Sequence, residues 1–254
     1  MPREREEEVA TVKIVVVGGG AAGIGAAGAA KGTDKNAEVV VYTEYEDAAY
    51  SPCGIPYVHG KEISDFQSLF LASKESYKES GIDIHYETAV TGLDVGKRTV
   101  TVAGEGDVSW DRLILGTGFN YADPGVPGTD LDGLYYVKNI REAIEWDKVL
   151  DNTKVAVVVE ASPLGLEMVT ALAHRGIETH LVDHHPWALA EATDPDIAAP
   201  VEPTLRPADA PRLVLGRFLV HTTTRSAGNS PWSVRTARTL PAPSPTNASS
   251  LVLK

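Results

Sequence analysis

The sequence predicts an α/β fold made of two strand–turn–helix–strand units, with an antiparallel β-meander inserted after the first. Three observations carry that expectation. An apolar strand, a glycine-rich turn and an alanine-rich helix follow one another over residues 12–32 and lead into a second apolar run, Glu38 to Tyr42. The same order recurs over residues 154–183. Between the two lie four short segments of alternating character, separated by glycine turns.

Composition sets the outer limits. With 254 residues, 43% of them hydrophobic, the chain can bury the core of one large domain or two ordinary ones. Its net charge of -12 argues against nucleic acid or an anionic membrane as partner, because both require clustered lysine and arginine. No run approaches the ~18 apolar residues of a membrane helix. Cys53 is the single cysteine, so neither an internal disulfide nor a multi-cysteine metal site can form, and a cytoplasmic setting is the simplest expectation. The histidines, His59, His85, His174, His180, His184, His185 and His221, show no metal-ligand spacing with carboxylates and read as surface or core residues.

Residues 1–11 are charged and read as a solvated leader. Ile14 to Val17 is uninterrupted apolar sequence, as expected of a parallel strand buried on both faces. Gly18, Gly20 and Gly23 then give G-x-G-x-x-G spacing. In a dinucleotide-binding unit the first glycine permits the turn, the second lets backbone approach a pyrophosphate, and the third lets helix pack on strand. An interior glycine costs a helix roughly 1 kcal/mol relative to alanine, so Gly25 and Gly28 fit only where close approach outweighs propensity. After the second strand, Glu44 is placed to accept hydrogen bonds from a ribose.

Next comes SPCGIPYVHGKEI, with Cys53 at the expected start of a helix or turn between Pro52 and Gly54. Unpaired backbone N–H groups there favour a thiolate near neutral pH. A small buried apolar side chain is the other reading of Cys53. Asp65 to Ser80 reads as a loop and an amphipathic helix. IDIHYE, AVTGLDV, RTVTVAG and DVSWDRLIL follow as the antiparallel meander, ending at Gly116, Thr117 and Gly118. The Pro, Gly and Asp of the next stretch mark a domain boundary near Asp123 to Gly128. A helix is expected from Asn139 to Asp151, then a strand to Val159, a helix from Gly165 to Arg175, and a strand from Glu178 ending at Asp183. Repetition of the unit implies two nucleotide-type domains, one for each of two cofactors.

Taken together, the fingerprint with Glu44, the SPCGIPY segment, the LGTG strand end and a second unit containing GLEM resemble the pyridine nucleotide-disulfide oxidoreductases over about residues 12–202. The resemblance is to the single-cysteine branch, the coenzyme A-disulfide reductases and NADH oxidases or peroxidases. It implies FAD/NAD(P)-binding Rossmann-like domains of the three-layer ββα type, with FAD held by Gly18, Gly20, Gly23 and Glu44 and approached by Thr117 and Gly118. It also implies that NAD(P)H reduces FAD, which passes electrons to Cys53, with a disulfide, persulfide, oxygen or peroxide as acceptor. Gly165 and Asp183 would serve the second nucleotide site; Asp183 favours NADH, whereas His184 and His185 admit a phosphate. Glu167 matches a position near the flavin in the family and equally suits an exposed helix face. Residues 12–125 are expected to form the N-terminal part of the FAD domain and residues 126–202 part of an NAD(P) domain.

Two departures qualify the resemblance. Glu160 and Ser162 stand where the second fingerprint has glycines. Ser162 followed by Pro163 still starts a helix well. A carboxylate 4 Å from a phosphate costs about 1 to 4 kcal/mol in surface-like surroundings, so NAD(P)H binding is expected to be weak or absent. From residue 203 the composition changes to Pro, Ser, Thr and Arg, with Asp209 the one acidic residue, and no periodic element is expected beyond RLVLGRFLV. Residues 203–254 read as an out-of-frame or recombined end, or as a disordered linker. The family's second flavin-contacting segment and its dimer domain are not recognisable, so a truncated FAD- or ADP-binding remnant without turnover stands as the alternative function.

Overall fold

The computed structural model describes residues 11–121, 128–183, 185, 187–204, 214–217 and 250–253. Residues 1–10 of the leader expected over 1–11 and most of the boundary near residue 125 lie outside them, as do His184 and His221. The chain opens with β1 (Lys13–Val17), α1 (Ala21–Thr33) and β2 (Glu38–Tyr42). A 3-10 turn at Pro52–Gly54 runs into α2 (Ile55–His59); a second, at Phe66–Leu69, precedes α3 (Lys74–Glu79). Then come β3 (Ile82–His85), β4 (Val90–Asp94), β5 (Thr99–Val102), β6 (Gly106–Ser109) and β7 (Arg112–Leu115). After β8 (Leu134–Tyr135) follow α4 (Ile140–Leu150), β9 (Val155–Val159), α5 (Pro163–His174) and β10 (Glu178–Asp183). The short helices α6 (Pro195–Ala198) and α7 (Val201–Thr204) and the strands β11 (Val214–Arg217) and β12 (Ser250–Leu253) end the order.

The chain divides into two compact units: Met1–Ser51 with Phe70–Asn120, and Pro52–Leu69 with Tyr121–Lys254. In the first, β3, β2, β1 and β7 form a parallel sheet in that order. One face packs Val16, Val39 and Val41 against Ile24 and Ala27 of α1 and Tyr77 of α3. The other packs Val15, Val40 and Tyr42 against Val100 and Val102 of the meander. Meander, sheet and helices give the three ββα layers.

The expected four-stranded meander is corrected. It has three strands, β4, β5 and β6, paired antiparallel. IDIH and RLIL, its expected first and last parts, are instead edge strands of the parallel sheet. The reason is connectivity: IDIH follows a helix, and a helical crossover returns the chain parallel to the strand it left. Alternation alone does not carry the sense of pairing.

In the second unit the sheet order is β11, β10, β9, β12, β8, all parallel. Asn139 caps α4 through its side-chain oxygen, which accepts from the N–H groups of Arg141 and Glu142. In the tail, β11 falls inside RLVLGRFLV, while Ser250–Leu253, read from sequence as lacking regular structure, is a strand between β9 and β8. Short apolar stretches of this kind suit a strand without announcing one.

Candidate functional site

The turn between β1 and α1 is built from backbone packed on backbone. Gly18 has a φ of +109°, donates its N–H to Tyr42 O at 2.8 Å, and has no room for a side chain: a Cβ there would lie 2.1 Å from Gly116 O. A Cβ on Gly23 would lie 1.8 Å from Gly18 O. Gly20 differs, since apart from its neighbours in the chain nothing lies within 4 Å of where its Cβ would stand. Packing therefore explains Gly18 and Gly23 but not Gly20. Gly20 is the N-cap of α1 without a side-chain cap, Ala21 and Ala22 beside it are exposed, and no acidic residue lies in the first turn. A 13-residue helix opening in this way presents unsatisfied N–H groups and a positive dipole end to an anion.

The remaining predicted residues of the first unit gather around this turn. Thr117 N lies 3.2 Å from the Gly18 Cβ position, and Gly118 follows with a φ of +67°. Gly116 approaches Gly23 so closely that a Cβ would lie 3.0 Å from Gly23 N. Glu44 is exposed just past the end of β2, where a ribose beside that helix start would need it. The structure thus brings Gly18, Gly20, Gly23, Thr117 and Gly118 together at the turn, with Glu44 just past the end of the neighbouring strand.

The second turn copies the first in shape and differs in chemistry. Glu160 takes the place of Gly18, with a φ of +85° and its N–H donated to Val182 O at 2.7 Å. Gly165 takes the place of Gly23, its Cβ position 1.9 Å from Glu160 O. Leu189 N–H donates to Ala161 O as Ala49 N–H donates to Gly19 O, both at 2.8 Å. Here, however, the N–H groups are already used. Ser162 Oγ accepts from Gly165 N–H at 3.3 Å, and the Asp183 carboxylate accepts from Ala161 N–H at 2.5 Å. Asp183 also takes the N–H and the Nδ1 of His185, at 2.7 and 2.8 Å. Burial pushes the Asp183 carboxyl up, but the hydrogen bonds from His185 and Ala161 outweigh it and hold the group below the usual range. With exposed Glu160 beside it, this turn offers a pyrophosphate fewer free N–H groups and a less favourable charge than the first. Glu167 is half-buried on α5.

Cys53 is exposed, as a reactive cysteine must be, so the buried apolar reading is corrected. It lies in the Pro52–Gly54 turn, and the helix that follows has only five residues. Residues 52–69 belong to the second unit although their neighbours in sequence belong to the first. This strap is tightly held. A Cβ on Gly54 would lie 2.3 Å from Leu69 Cδ2, and one on Gly60 would lie 3.3 Å from Ala171 of α5.

Sequence reasoning did not find His59 as more than a core histidine. Fully buried at the end of α2, it has its Nδ1 2.8 Å from Asp147 Oδ1 and its ring packed at a 31° tilt on Trp146, centroids 3.8 Å apart, with Phe66 edge-on at 5.3 Å. Arg175, just past α5, donates to Asp147 at 2.6 Å, to Asp151, and to the carbonyl of His59 at 3.3 Å. The signal available in the sequence was position: His59 lies four residues after buried Ile55, on the inward face of a short helix. Burial lowers the His59 pKa, and the contact with Asp147 opposes this only in part, so the ring is neutral at pH 7 with its proton on Nδ1.

A pH dependence follows from that shift. Below the ordinary value of about 6.5 the unfolded chain takes up a proton on this histidine while the folded chain does not, so stability is complete above it and falls as pH drops toward the lowered folded value. The melting temperature is therefore expected to fall between about pH 6.5 and pH 5, and His59→Phe to make that fall shallower. Thermal melts across this range check it; equal slopes in the two proteins would remove His59 as the cause.

Among the described residues there is no group of His, Cys, Asp and Glu that could hold a metal, and no helix long and apolar enough to cross a membrane. A "NADH oxidase" of Methanocaldococcus jannaschii is 34% identical over 198 residues, covering 75% of this chain and 44% of that protein. A Pyrococcus horikoshii "NAD(P)H coenzyme A polysulfide/persulfide reductase" is 27% identical over 197 residues, covering 76% and 44%. Among solved structures, the water-forming NADH oxidase of Lactobacillus brevis, bound to NADH, matches with a TM-score of 0.76 at 27% identity, covering 85% of this chain and 49% of that one. The chain spans about half the length of these relatives. Residues 12–209 match the pyridine nucleotide-disulphide oxidoreductase pattern, and with the glycine turn, the cysteine strap and the repeated βαβ unit in place, the chain belongs to that family.

Proposed function

We propose that this chain is the nucleotide-binding part of a flavoprotein oxidoreductase that uses NAD(P)H to reduce a disulfide, a persulfide, or oxygen or peroxide through FAD and Cys53. The observation that supports it most is the uncapped start of α1 at Gly20, where the glycine is left unexplained by the protein's own packing. There the N–H groups of the first turn would hold the pyrophosphate, Glu44 would accept from the ribose hydroxyls, and Thr117 and Gly118 would flank the ligand. FAD, when bound, supplies two-electron transfer between a nicotinamide and sulfur. The thiolate of Cys53 attacks one sulfur of a substrate disulfide, forming a mixed disulfide and releasing one thiolate. Two electrons from NAD(P)H then break that bond, and a second thiol leaves. With peroxide, the thiolate takes one oxygen, water departs, and the sulfenic acid is reduced back by the same two electrons.

A second reading has its own support. The turn after β9 has its N–H groups capped internally and carries Glu160, which favours a remnant that binds FAD or ADP without turnover. One preparation separates the two. A yellow protein bleached by NADH, whose reductase activity disappears in Cys53→Ser, supports the enzyme. A protein that is colourless, or bleached by dithionite alone, supports the remnant.

A further inference from the structure

We propose that His59 is a positioning residue for Cys53: packed on Trp146 and hydrogen-bonded to Asp147, it pins the strap that carries the cysteine onto the rest of the second unit, and its protonation loosens that strap. The inference rests on the reading of Cys53 as the redox group.

The strap cannot hold itself. Its helix has five residues, far fewer than the ~12 at which an isolated helix becomes even marginal, so its shape depends on anchors. The entry and exit of the strap meet where Gly54 packs on Leu69. Its middle is closed by Tyr57 O, which accepts from Glu62 and Ile63 N–H at 2.9 and 3.1 Å. Its attachment to the rest of the unit converges on His59. The carbonyl of that residue takes Arg175, its ring takes Asp147 and Trp146, and the following Gly60 lies against Ala171. His59 stands six positions after Cys53 in a continuous turn and helix, so displacing it displaces the cysteine.

The ring is also built to respond to pH. Its Nε2 is buried without a hydrogen-bond partner. A proton added there has no acceptor in reach, and a buried unsatisfied donor is costly. The charged groups facing the ring are Asp147 from α4, which favours the added charge, and Arg175 after α5, which opposes it. Lys61 pairs with Asp151 at 3.5 Å, and His174 with Glu62 at 3.5 Å, so these charges are engaged with one another. Protonation is relieved by moving the ring outward, and the strap moves with it.

Because Cys53 is the only cysteine, a thiol probe reports on it alone. The full chain is treated with 2,2′-dipyridyl disulfide, and release of pyridine-2-thione is followed between about pH 7 and pH 5, with each rate divided by that of glutathione under the same conditions. The ratio is expected to rise about threefold or more as the strap opens locally. His59→Phe, which keeps an aromatic ring against Trp146, and His59→Gln, which keeps a donor toward Asp147 but does not titrate, should both give a flat ratio. Asp147→Asn should move the rise to lower pH, because the charged ring loses its counter-ion. A merely structural histidine would lower the melting temperature in these variants and leave the profile unchanged. A flat wild-type ratio, or a rise retained in a folded His59 variant, overturns the proposal. NADH-driven turnover retained in Cys53→Ser would overturn the redox reading instead, and leaves the thiol profile to be judged by itself.

Discussion

Replacing Gly23 with valine is expected to leave the protein without bound flavin and to lower the melting temperature of the first unit by on the order of 10 °C. A Cβ at this position would lie 1.8 Å from the Gly18 carbonyl oxygen, which is backbone and has nowhere to go: Gly18 is itself pressed against Gly116. Helix α1 would have to lift from β1, opening the layer in which Val16 packs against Ile24 and Ala27. Overpacking a well-filled core costs about 1 to 3 kcal/mol, and strain against fixed backbone lies at or above the top of that range. Gly20→Ala is the informative partner. Apart from its neighbours in the chain no atom lies within 4 Å of its Cβ, and its φ of -76° suits any residue, so stability should change by less than about 0.5 kcal/mol. Flavin affinity should nevertheless fall about tenfold or more, because the methyl group enters space that the pyrophosphate needs. Thermal melts and flavin content of the purified variants measure both effects. Unchanged flavin affinity in Gly20→Ala would mean that the glycine is not there for a ligand, and the assignment of this turn would fall with it.

Local chemistry was legible in the sequence, and long-range pairing was not. Gly18 and Gly23 specified the first turn because they pack on each other only five residues apart. Asn139 and Ser162 announced the starts of α4 and α5, since capping is decided over three or four residues. The loss of the second fingerprint at Glu160 and Ser162 was also readable; less so was that the turn keeps its shape, which Gly165 and the left-handed Glu160 make possible. By contrast, the parallel pairing of IDIH and RLIL depends on partners in β2 and β1 that no local alternation reveals. His59 joins partners 88 and 116 residues away, Asp147 and Arg175, so its role lay beyond any motif. The allocation of residues 52–69 to the second unit is of the same kind: the segment is short, polar in part, and defined by what it packs against.

Restoring glycine at both altered positions of the second turn, Glu160→Gly with Ser162→Gly, is expected to raise NADH affinity about tenfold or more while leaving the fold intact. Glu160 occupies the left-handed region at a φ of +85°, which costs a side-chain-bearing residue about 1 to 2 kcal/mol. Glycine removes that strain and returns part of the gain as chain entropy, so Glu160→Gly alone should stabilise the unit by roughly 1 kcal/mol or slightly less. Losing the Ser162 cap on Gly165 N–H to glycine costs only a few tenths of a kcal/mol, about what the other change supplies or less. The effect on binding is larger because two obstacles disappear together. One is the carboxylate beside the phosphate position, unfavourable by about 1 to 4 kcal/mol; the other is a hydroxyl that occupies the N–H a pyrophosphate would use. Asp183 provides the internal comparison, since it still holds Ala161 N–H in the double variant. Titration of NADH against the wild-type and variant proteins, together with their melting curves, separates the two effects. A variant that gains stability but no affinity would show that Glu160 and Ser162 do not by themselves close the second nucleotide site.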